Sequence, residues 1–189
     1  MTTAQRLAVP ADIPRIAALM RTSVRTLFPR SYSADQTASA ARYLTEPDPA
    51  LIEDGTYFVH EADGEIVACG GWSRRGRLHA GTGAGADDDR LLDPATEPAR
   101  VRAMFVRGDW TRRGLGRAVL AASEQAARRR GFAALTLMAT LPGVPLYAAY
   151  GFAEVERVAV ALPDGVVLDC AEMAMPLRPS RPGDPIGLV

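Results

Sequence analysis

The chain has no excess of charge of either sign. Its 189 residues include 22 Lys+Arg and 22 Asp+Glu, so the formal net charge is +0 at pH 7. Proteins that bind nucleic acid or a membrane surface over a wide area carry a basic face, which such a balance does not provide. We therefore expect no nucleic-acid partner and no membrane partner, although the cluster Arg112, Arg113 and Arg117 suits a small anion.

Cysteine is scarce, and long apolar runs are missing. Cys69 and Cys170 are the only cysteines, and neither has a metal-ligand spacing to His60 or His79. No stretch reaches the roughly 18 apolar residues of a membrane span, and residues 1–16 do not resemble a signal peptide. These absences predict a cytoplasmic protein with reduced thiols and no metal.

The length fits one domain, because domains commonly contain about 100 to 200 residues. We predict a single domain over residues 1–177 and a Pro/Gly-rich tail over residues 178–189. A long loop insertion is predicted at residues 74–99, where glycines and the acidic run 87–89 are concentrated. Loops of this length are either lids or mobile segments, and the small and charged residues here favour a mobile surface insertion.

Hydrophobic periodicity predicts a mixture of helices and strands. Helices are predicted at residues 12–28, 33–44, 113–130 and 144–150, and strands at 56–61, 65–73, 100–106, 133–139, 153–162 and 166–175. Alternation along the third strand predicts Val101, Ala103 and Phe105 on one face. The order strand, long helix, strand over residues 100–139 predicts a parallel pair in the sheet.

A glycine-containing bend lies between that strand and the long helix, in the stretch VRGDWTRRGLGRAVL at residues 106–120. The first turn of a helix has backbone N–H groups without partners and a partial positive charge. Gly114 and Gly116 would let an anion approach these groups, so the bend predicts a phosphate site; close packing is the alternative. The dinucleotide fingerprint and the P-loop are excluded, since a third glycine and a GK[ST] sequence are absent.

Two motifs in the chain resemble those of the GNAT superfamily of acyl-CoA-dependent N-acyltransferases. The family pattern [Q/R]-x-x-G-x-[G/A] falls on residues 111–116, with Thr111 in place of Gln or Arg, and LYAAYGF at residues 146–152 resembles the family's Tyr-x-x-x-Gly-Phe ending. The resemblance extends to about Leu177. It implies a mixed α/β fold: a mostly antiparallel sheet of six to seven strands with a central splayed parallel pair, flanked by about four helices.

The resemblance also implies acetyl-CoA as cosubstrate and assigns residues to it. The backbone of Met104, Phe105 and Val106 would bind the pantetheine, and Thr140 stands where the family often has an asparagine that holds the cofactor. Tyr147 matches the family tyrosine that protonates the departing thiolate; a packing role is the alternative. The diphosphate would lie on Arg112, Arg113, Gly114, Leu115, Gly116 and Arg117.

The acceptor and the base are less defined. By the same resemblance, Arg25, Tyr32 and Arg102 are candidates for substrate binding, and Arg102 suggests an anionic group on the substrate. The strand at 100–106 has no carboxylate, which leaves His60, Glu61, Glu97 or water to accept the amine proton. The expected function is transfer of an acetyl group to a primary amine of a small molecule or peptide. Members of the family are frequently dimers, and a homodimer is implied by that analogy alone. The alternative is a non-catalytic acyl-CoA-binding sensor or interaction module.

Overall fold

The computed structural model describes residues 3–76 and 90–177, which form one seven-stranded mixed sheet with the strand order β1-β2-β3-β4-β5-β7-β6. The strands are β1 (Ala4–Leu7), β2 (Tyr57–Ala62), β3 (Glu65–Ser73), β4 (Ala99–Val106), β5 (Ala134–Thr140), β6 (Ala153–Ala161) and β7 (Val167–Pro176). The helices are α1 (Ile13–Leu27), α2 (Ala34–Tyr43), α3 (Pro49–Glu53), α4 (Leu115–Arg129) and α5 (Val144–Tyr150). The predicted fold class is confirmed, since β4 and β5 are parallel and the other neighbouring strands are antiparallel.

Local sequence signals account for most helix ends. Ser33 caps α2 by accepting a hydrogen bond from the amide of Gln36, whose side chain accepts one from Ser33 in return. Gly131 follows α4 with φ of +86°, the left-handed conformation that glycine favours after a helix. None of the helices in residues 3–76 and 90–177 is long and apolar enough to cross a membrane.

Two elements were not predicted, β1 and α3. The four residues of β1 pair with β2 at the edge of the sheet. Pro49 is the first residue of α3, where proline is favoured. Asp48 caps α3, since its Oδ1 accepts a hydrogen bond from the amide of Ala50 at 3.0 Å.

The core lies on both faces of the sheet. On β7, Leu168 and Cys170 pack with α1 and α2, whereas Ala171 and Met173 pack with α4 and α5. Alternate residues of a strand point to opposite faces, so the two pairs of helices cover opposite sides of the sheet.

The parallel pair separates soon after it forms. β4 and β5 are in register only at Ala99 with Leu135 and at Arg100 with Thr136. Beyond these positions β4 remains paired with β3 and β5 with β7, so a gap opens between the two central strands.

A β-bulge in β4 overturns the predicted alternation of that strand. Gly70 of β3 lies opposite both Ala103 and Met104, and Ala103 has φ of +51°. Val101 and Met104 therefore pack against the same core cluster on the α4 face. The buried Tyr57 holds the bulge, because its hydroxyl donates a 2.6 Å hydrogen bond to the carbonyl of Ala103.

The described ends of the 74–99 segment pack on the domain. Arg75 forms a β-bridge with Leu91, and its guanidinium donates two 2.8 Å hydrogen bonds to the carboxylate of Asp54. Leu92 is buried in the core. Residues 77–89, which include His79 and the acidic run, lie outside the described residues, as does the predicted tail at 178–189.

Candidate active site

The bend after β4 exposes a row of backbone amides. Arg112 and Gly114 both have a left-handed conformation, with φ of +63° and +82°. Gly114 is the N-cap of α4 and provides no side-chain cap, and the first helical hydrogen bond runs from the amide of Ala118 to the carbonyl of Gly114. Within the described residues, the amides of residues 112–117 have no hydrogen-bond acceptor. This is the partner-free first turn that an anion can bind.

The two glycines of the bend serve different purposes. A Cβ at Gly114 would meet nothing within 4 Å, so this position needs glycine for its positive φ and stays open. A Cβ at Gly116 would lie 2.7 Å from Cδ2 of Leu146. Gly116 therefore lets α5 approach α4, and it also lines the cavity beside the bend.

Three arginines surround the row of amides. Arg112, Arg113 and Arg117 are exposed, and none of them forms an ion pair with a carboxylate in the described parts of the chain. The guanidinium of Arg113 stacks 4.5 Å from the ring centre of Trp110, which holds it at the bend. With the positive end of the α4 dipole, these side chains make the bend attractive to an anion.

A cavity of about 560 Å³ connects the bend with the other face of the sheet. It runs from the first turn of α4 through the gap between β4 and β5, and it ends among residues of α1, β6, β7 and the segment that follows α2. We call the part of the cavity next to the bend the α4/α5 half, and the part on the other side of the gap between β4 and β5 the α1/α2 half. The volume lies within the range of small-molecule sites.

Most of the residues predicted for a site line this cavity. The wall includes Arg102, Met104, Phe105, Val106, Arg112, Gly114, Leu115, Gly116, Arg117, Thr140 and Tyr147. Arg113 is not part of the wall, although it belongs to the bend. The structure thus brings together residues from two separate motifs that are about 30 positions apart in the sequence.

Two predicted substrate residues lie elsewhere. Arg25 borders a second groove, between α1 and α2, together with Arg21 and Arg42. Tyr32 is buried, and its hydroxyl donates to the carbonyl of Asp169 at 2.6 Å and accepts from the amide of Leu141 at 2.9 Å. These bonds occupy the hydroxyl of Tyr32 and connect the end of α1 to β7. Neither Arg25 nor Tyr32 lines the cavity.

Tyr147 has a hydroxyl without a hydrogen-bond partner among the described residues, on the wall of the cavity. Burial raises the pKa of Tyr147 to about 12, so the side chain keeps its proton at neutral pH. Its ring packs edge-on against Phe152, with 6.0 Å between ring centres. Tyr150, three residues later, instead donates a 2.6 Å hydrogen bond to Glu124 and packs against the core cluster on the α4 face.

The three side chains considered as a base are not in the cavity. Glu61 accepts hydrogen bonds from Arg6 and Arg15 at the edge of the sheet, and Glu97 is bound by Arg90. His60 is buried without a hydrogen-bond partner, and burial lowers its pKa. Each therefore has a structural setting away from the gap between β4 and β5.

Two other carboxylates do line the α1/α2 half, and they were missed in the sequence. Glu46 and Asp48 lie on the connection between α2 and α3. Oδ2 of Asp48 accepts a 2.8 Å hydrogen bond from Nη1 of Arg102, so β4 does gain a nearby carboxylate, supplied by another segment. The only local signal was the repeated acidic-Pro pattern of Glu46-Pro47-Asp48-Pro49. In residues 3–76 and 90–177, no group of three or more His, Cys, Asp or Glu side chains is arranged to hold a metal ion.

Comparison with known proteins agrees with this architecture. Residues 21–152, more than half of the chain, match the acetyltransferase (GNAT) family. The chain belongs to this family. No curated protein has a significantly similar sequence.

Solved structures share the fold at low sequence identity. A GCN5-related N-acetyltransferase from Rhodopseudomonas palustris superposes with a TM-score of 0.71 at 22% identity, over 94% of this chain and 97% of the other. PaiA N-acetyltransferase from Thermoplasma acidophilum, in complex with coenzyme A, has a TM-score of 0.64 at 13% identity, over 93% and 99%. YncA from Salmonella typhimurium, a putative acetyltransferase with its cofactor acetyl-CoA, has a TM-score of 0.61 at 18% identity, over 97% and 99%.

Proposed function

We propose that this protein transfers an acetyl group from acetyl-CoA to a primary amine, by direct attack while both substrates are bound. One observation supports this most: a single cavity joins the partner-free amides of the bend to the opposite face of the sheet through the gap between β4 and β5. A donor with an anionic end and an extended thioester arm fits such a passage, and an acceptor can approach from the α1/α2 half.

The residues of the α4/α5 half suit the donor. Amides 112–117 would bind the diphosphate of acetyl-CoA, with Arg112, Arg113 and Arg117 placed to neutralise its charge. The edge of β4 beyond Arg100 has no pairing with β5, so its backbone groups are available to an extended ligand. Thr140, at the end of β5, offers a hydroxyl on the same wall.

The reaction needs few chemical steps. The bound donor supplies an activated acetyl group as a thioester. The amine nitrogen forms a bond to the carbonyl carbon and loses one proton, the carbon–sulfur bond breaks, and the departing sulfur gains one proton. The chain must therefore hold the amine near the carbonyl, stabilise negative charge on the oxygen, and assist the leaving thiolate.

This chain has groups for each task. Backbone N–H groups on the open edge of β4, next to the bulge at Ala103, are the donors available to the carbonyl oxygen. Tyr147 carries its proton at neutral pH and has no competing hydrogen bond among the described residues, so it can donate to the sulfur. The amine proton would leave to solvent at the mouth of the cavity, where Glu46 is the exposed carboxylate.

The test is acetyl-CoA turnover with a panel of primary amines, followed by thiol release and by the mass of the acetylated product. We expect a mass increase of the amine equal to one acetyl group, with one thiol released per product. Acetyl-CoA binding without turnover of any amine would contradict the transferase assignment and support the non-catalytic sensor instead.

A further inference from the structure

We propose that the acyl acceptor is a primary amine carried on an apolar body, which is bound in the α1/α2 half of the cavity. This inference rests on the proposed function, because it assigns the acceptor to that half. It is based on the composition of the wall there, on the pairing of Arg102, and on the position of Glu46.

The wall of the α1/α2 half is mainly apolar. Its side chains come from the end of α1, the end of α2, and strands β6 and β7: Leu27, Phe28, Leu44, Val160, Leu168 and Cys170. Burial of apolar surface against such a wall is favourable, whereas a polyamine or an aminosugar would leave buried polar groups without partners. The wall therefore selects for an acceptor whose body is hydrocarbon.

The positive charge of Arg102, which lines this half, is already compensated by the carboxylate of Asp48. Arg102 has 5% of its side chain exposed and donates to Asp48 at 2.8 Å. The other oxygen of Asp48 caps α3 through the amide of Ala50. An acceptor carboxylate would have to compete with this arrangement for Arg102, so the earlier suggestion of an anionic substrate group is not favoured.

Glu46 gives this half a carboxylate for the amine. It lines the cavity, is exposed, and forms no ion pair within the described residues. Glu46 also borders the groove that contains Arg21, Arg25 and Arg42, but none of these arginines forms an ion pair with it. Besides Asp48, which is paired with Arg102, the half thus has one carboxylate without an ion pair among the described residues, together with an apolar wall, which matches an ammonium group joined to an apolar body.

The experiment compares acceptors that differ in one property. Phenylethylamine has the amine and an apolar ring, phenylalanine adds a carboxylate, and spermidine replaces the ring with charged groups. We expect kcat/KM for phenylethylamine to exceed both others by at least about tenfold, the usual discrimination of an apolar pocket. A C-terminally amidated tripeptide that begins with phenylalanine shows whether the same chemistry is preferred on a peptide. A higher kcat/KM for spermidine or phenylalanine would overturn the inference while leaving the transferase function intact.

A variant pair tests the wall itself. Leu44→Ser should lower kcat/KM for phenylethylamine about tenfold and leave the Kd for CoA within twofold. Val155→Ser is the matched control, since Val155 is exposed on β6 and is not part of the cavity wall. If Leu44→Ser does not fold, as judged by thermal unfolding, Leu27→Ser tests the same wall from α1. Unchanged kcat/KM in the folded variant would contradict the inference.

Calorimetric binding of phenylethylamine to the CoA-loaded protein tests the acceptor class separately from the transferase function. Binding without acetylation of any amine would support the acceptor class and refute the transferase function. The absence of phenylethylamine binding would refute the acceptor class.

Discussion

Removal of the Tyr147 hydroxyl, by Tyr147→Phe, should slow acetyl transfer and leave CoA binding unchanged. The pKa of Tyr147 is raised to about 12, whereas an ordinary thiol has a pKa of about 8.5. Tyr147 is thus a weaker acid than the thiol, so complete transfer of its proton to the thiolate is unfavourable. Tyr147 should therefore act mainly through a hydrogen bond to the negative sulfur as it leaves, and the thiolate then takes its proton from solvent.

The size of the loss follows from that hydrogen bond. Hydrogen bonds to charged groups contribute about 1.5–3 kcal/mol, which corresponds to a decrease in rate of about 10- to 150-fold. Single-turnover measurements, with the protein in excess over acetyl-CoA, separate this step from product release. Calorimetry should give the same Kd for CoA within about twofold, because the hydroxyl is needed only when charge develops on the sulfur.

Tyr150→Phe is the matched control, since it removes a hydroxyl from the same short helix. The hydroxyl of Tyr150 donates to Glu124 and does not line the cavity, so its loss should leave the single-turnover rate unchanged. The raised pKa also means that Tyr147 stays protonated until the pH approaches about 12, so its titration should cause no loss of rate below about pH 11. Equal single-turnover rates for the wild type and Tyr147→Phe would refute this role.

Three further predictions concern stability. Arg6 holds the pKa of the buried Asp12 at about 2 instead of 3.8, so Asp12→Asn should lower the free energy of unfolding at pH 7 by about 2 kcal/mol. In urea unfolding, the wild type should lose this advantage as the pH falls from 4 to 2, and equal stability of the two proteins at pH 7 would contradict the prediction. Burial lowers the pKa of His60, so the unfolded chain binds a proton at a higher pH than the folded protein does. The free energy of unfolding should therefore fall below about pH 6.5, by up to about 1.4 kcal/mol per pH unit. In urea unfolding, His60→Leu should lack this pH dependence, and the same pH dependence in the variant would argue against the role of His60. A Cβ at Gly71 would lie 2.2 Å from the carbonyl oxygen of Thr56, so Gly71→Ala should destabilise the fold by at least about 2 kcal/mol. Thermal unfolding measures this loss, and an unchanged midpoint would show that β3 can move away from Thr56 to make room for the methyl group.

Local sequence patterns predicted much of the fold. The strands predicted at 56–61 and 65–73 form the hairpin of β2 and β3, and Asp63 and Gly64 between them both have positive φ, as a two-residue turn of this kind requires. Amphipathic periodicity located α1 and α4, with a proline in the first turn of α1 and Gly131 after the end of α4. These features depend on residues close together in the chain, so they can be inferred without tertiary contacts.

The bulge in β4 could not be inferred in the same way. Its positive φ falls on Ala103, a residue type that gives no local signal for that conformation. The contacts at the bulge come from distant parts of the chain: the hydroxyl of Tyr57 binds the Ala103 carbonyl, and Gly70 leaves room for Met104. Alternation alone therefore assigned the residues after the bulge to the wrong faces.

The candidate site, like the fold, could be predicted from local motifs but not where it depends on contacts between distant segments. The bend at residues 112–117 was located from its glycines, and Tyr147 from a motif at a fixed distance from Gly151 and Phe152. Asp48 and Arg102 are 54 positions apart, and nothing in either segment indicates that they pair. The close approach of Leu146 to Gly116 is likewise a tertiary contact that neither motif indicates.

The central claim is that the partner-free amides at the start of α4 bind the diphosphate of an acyl-CoA. Calorimetric titration with CoA and with pantetheine, which lacks the diphosphate and the nucleotide, tests it most directly. Several hydrogen bonds to a charged group should make CoA bind at least about 100-fold more tightly than pantetheine. Equal affinity for the two ligands, or no heat and no thermal shift with CoA, would contradict the claim.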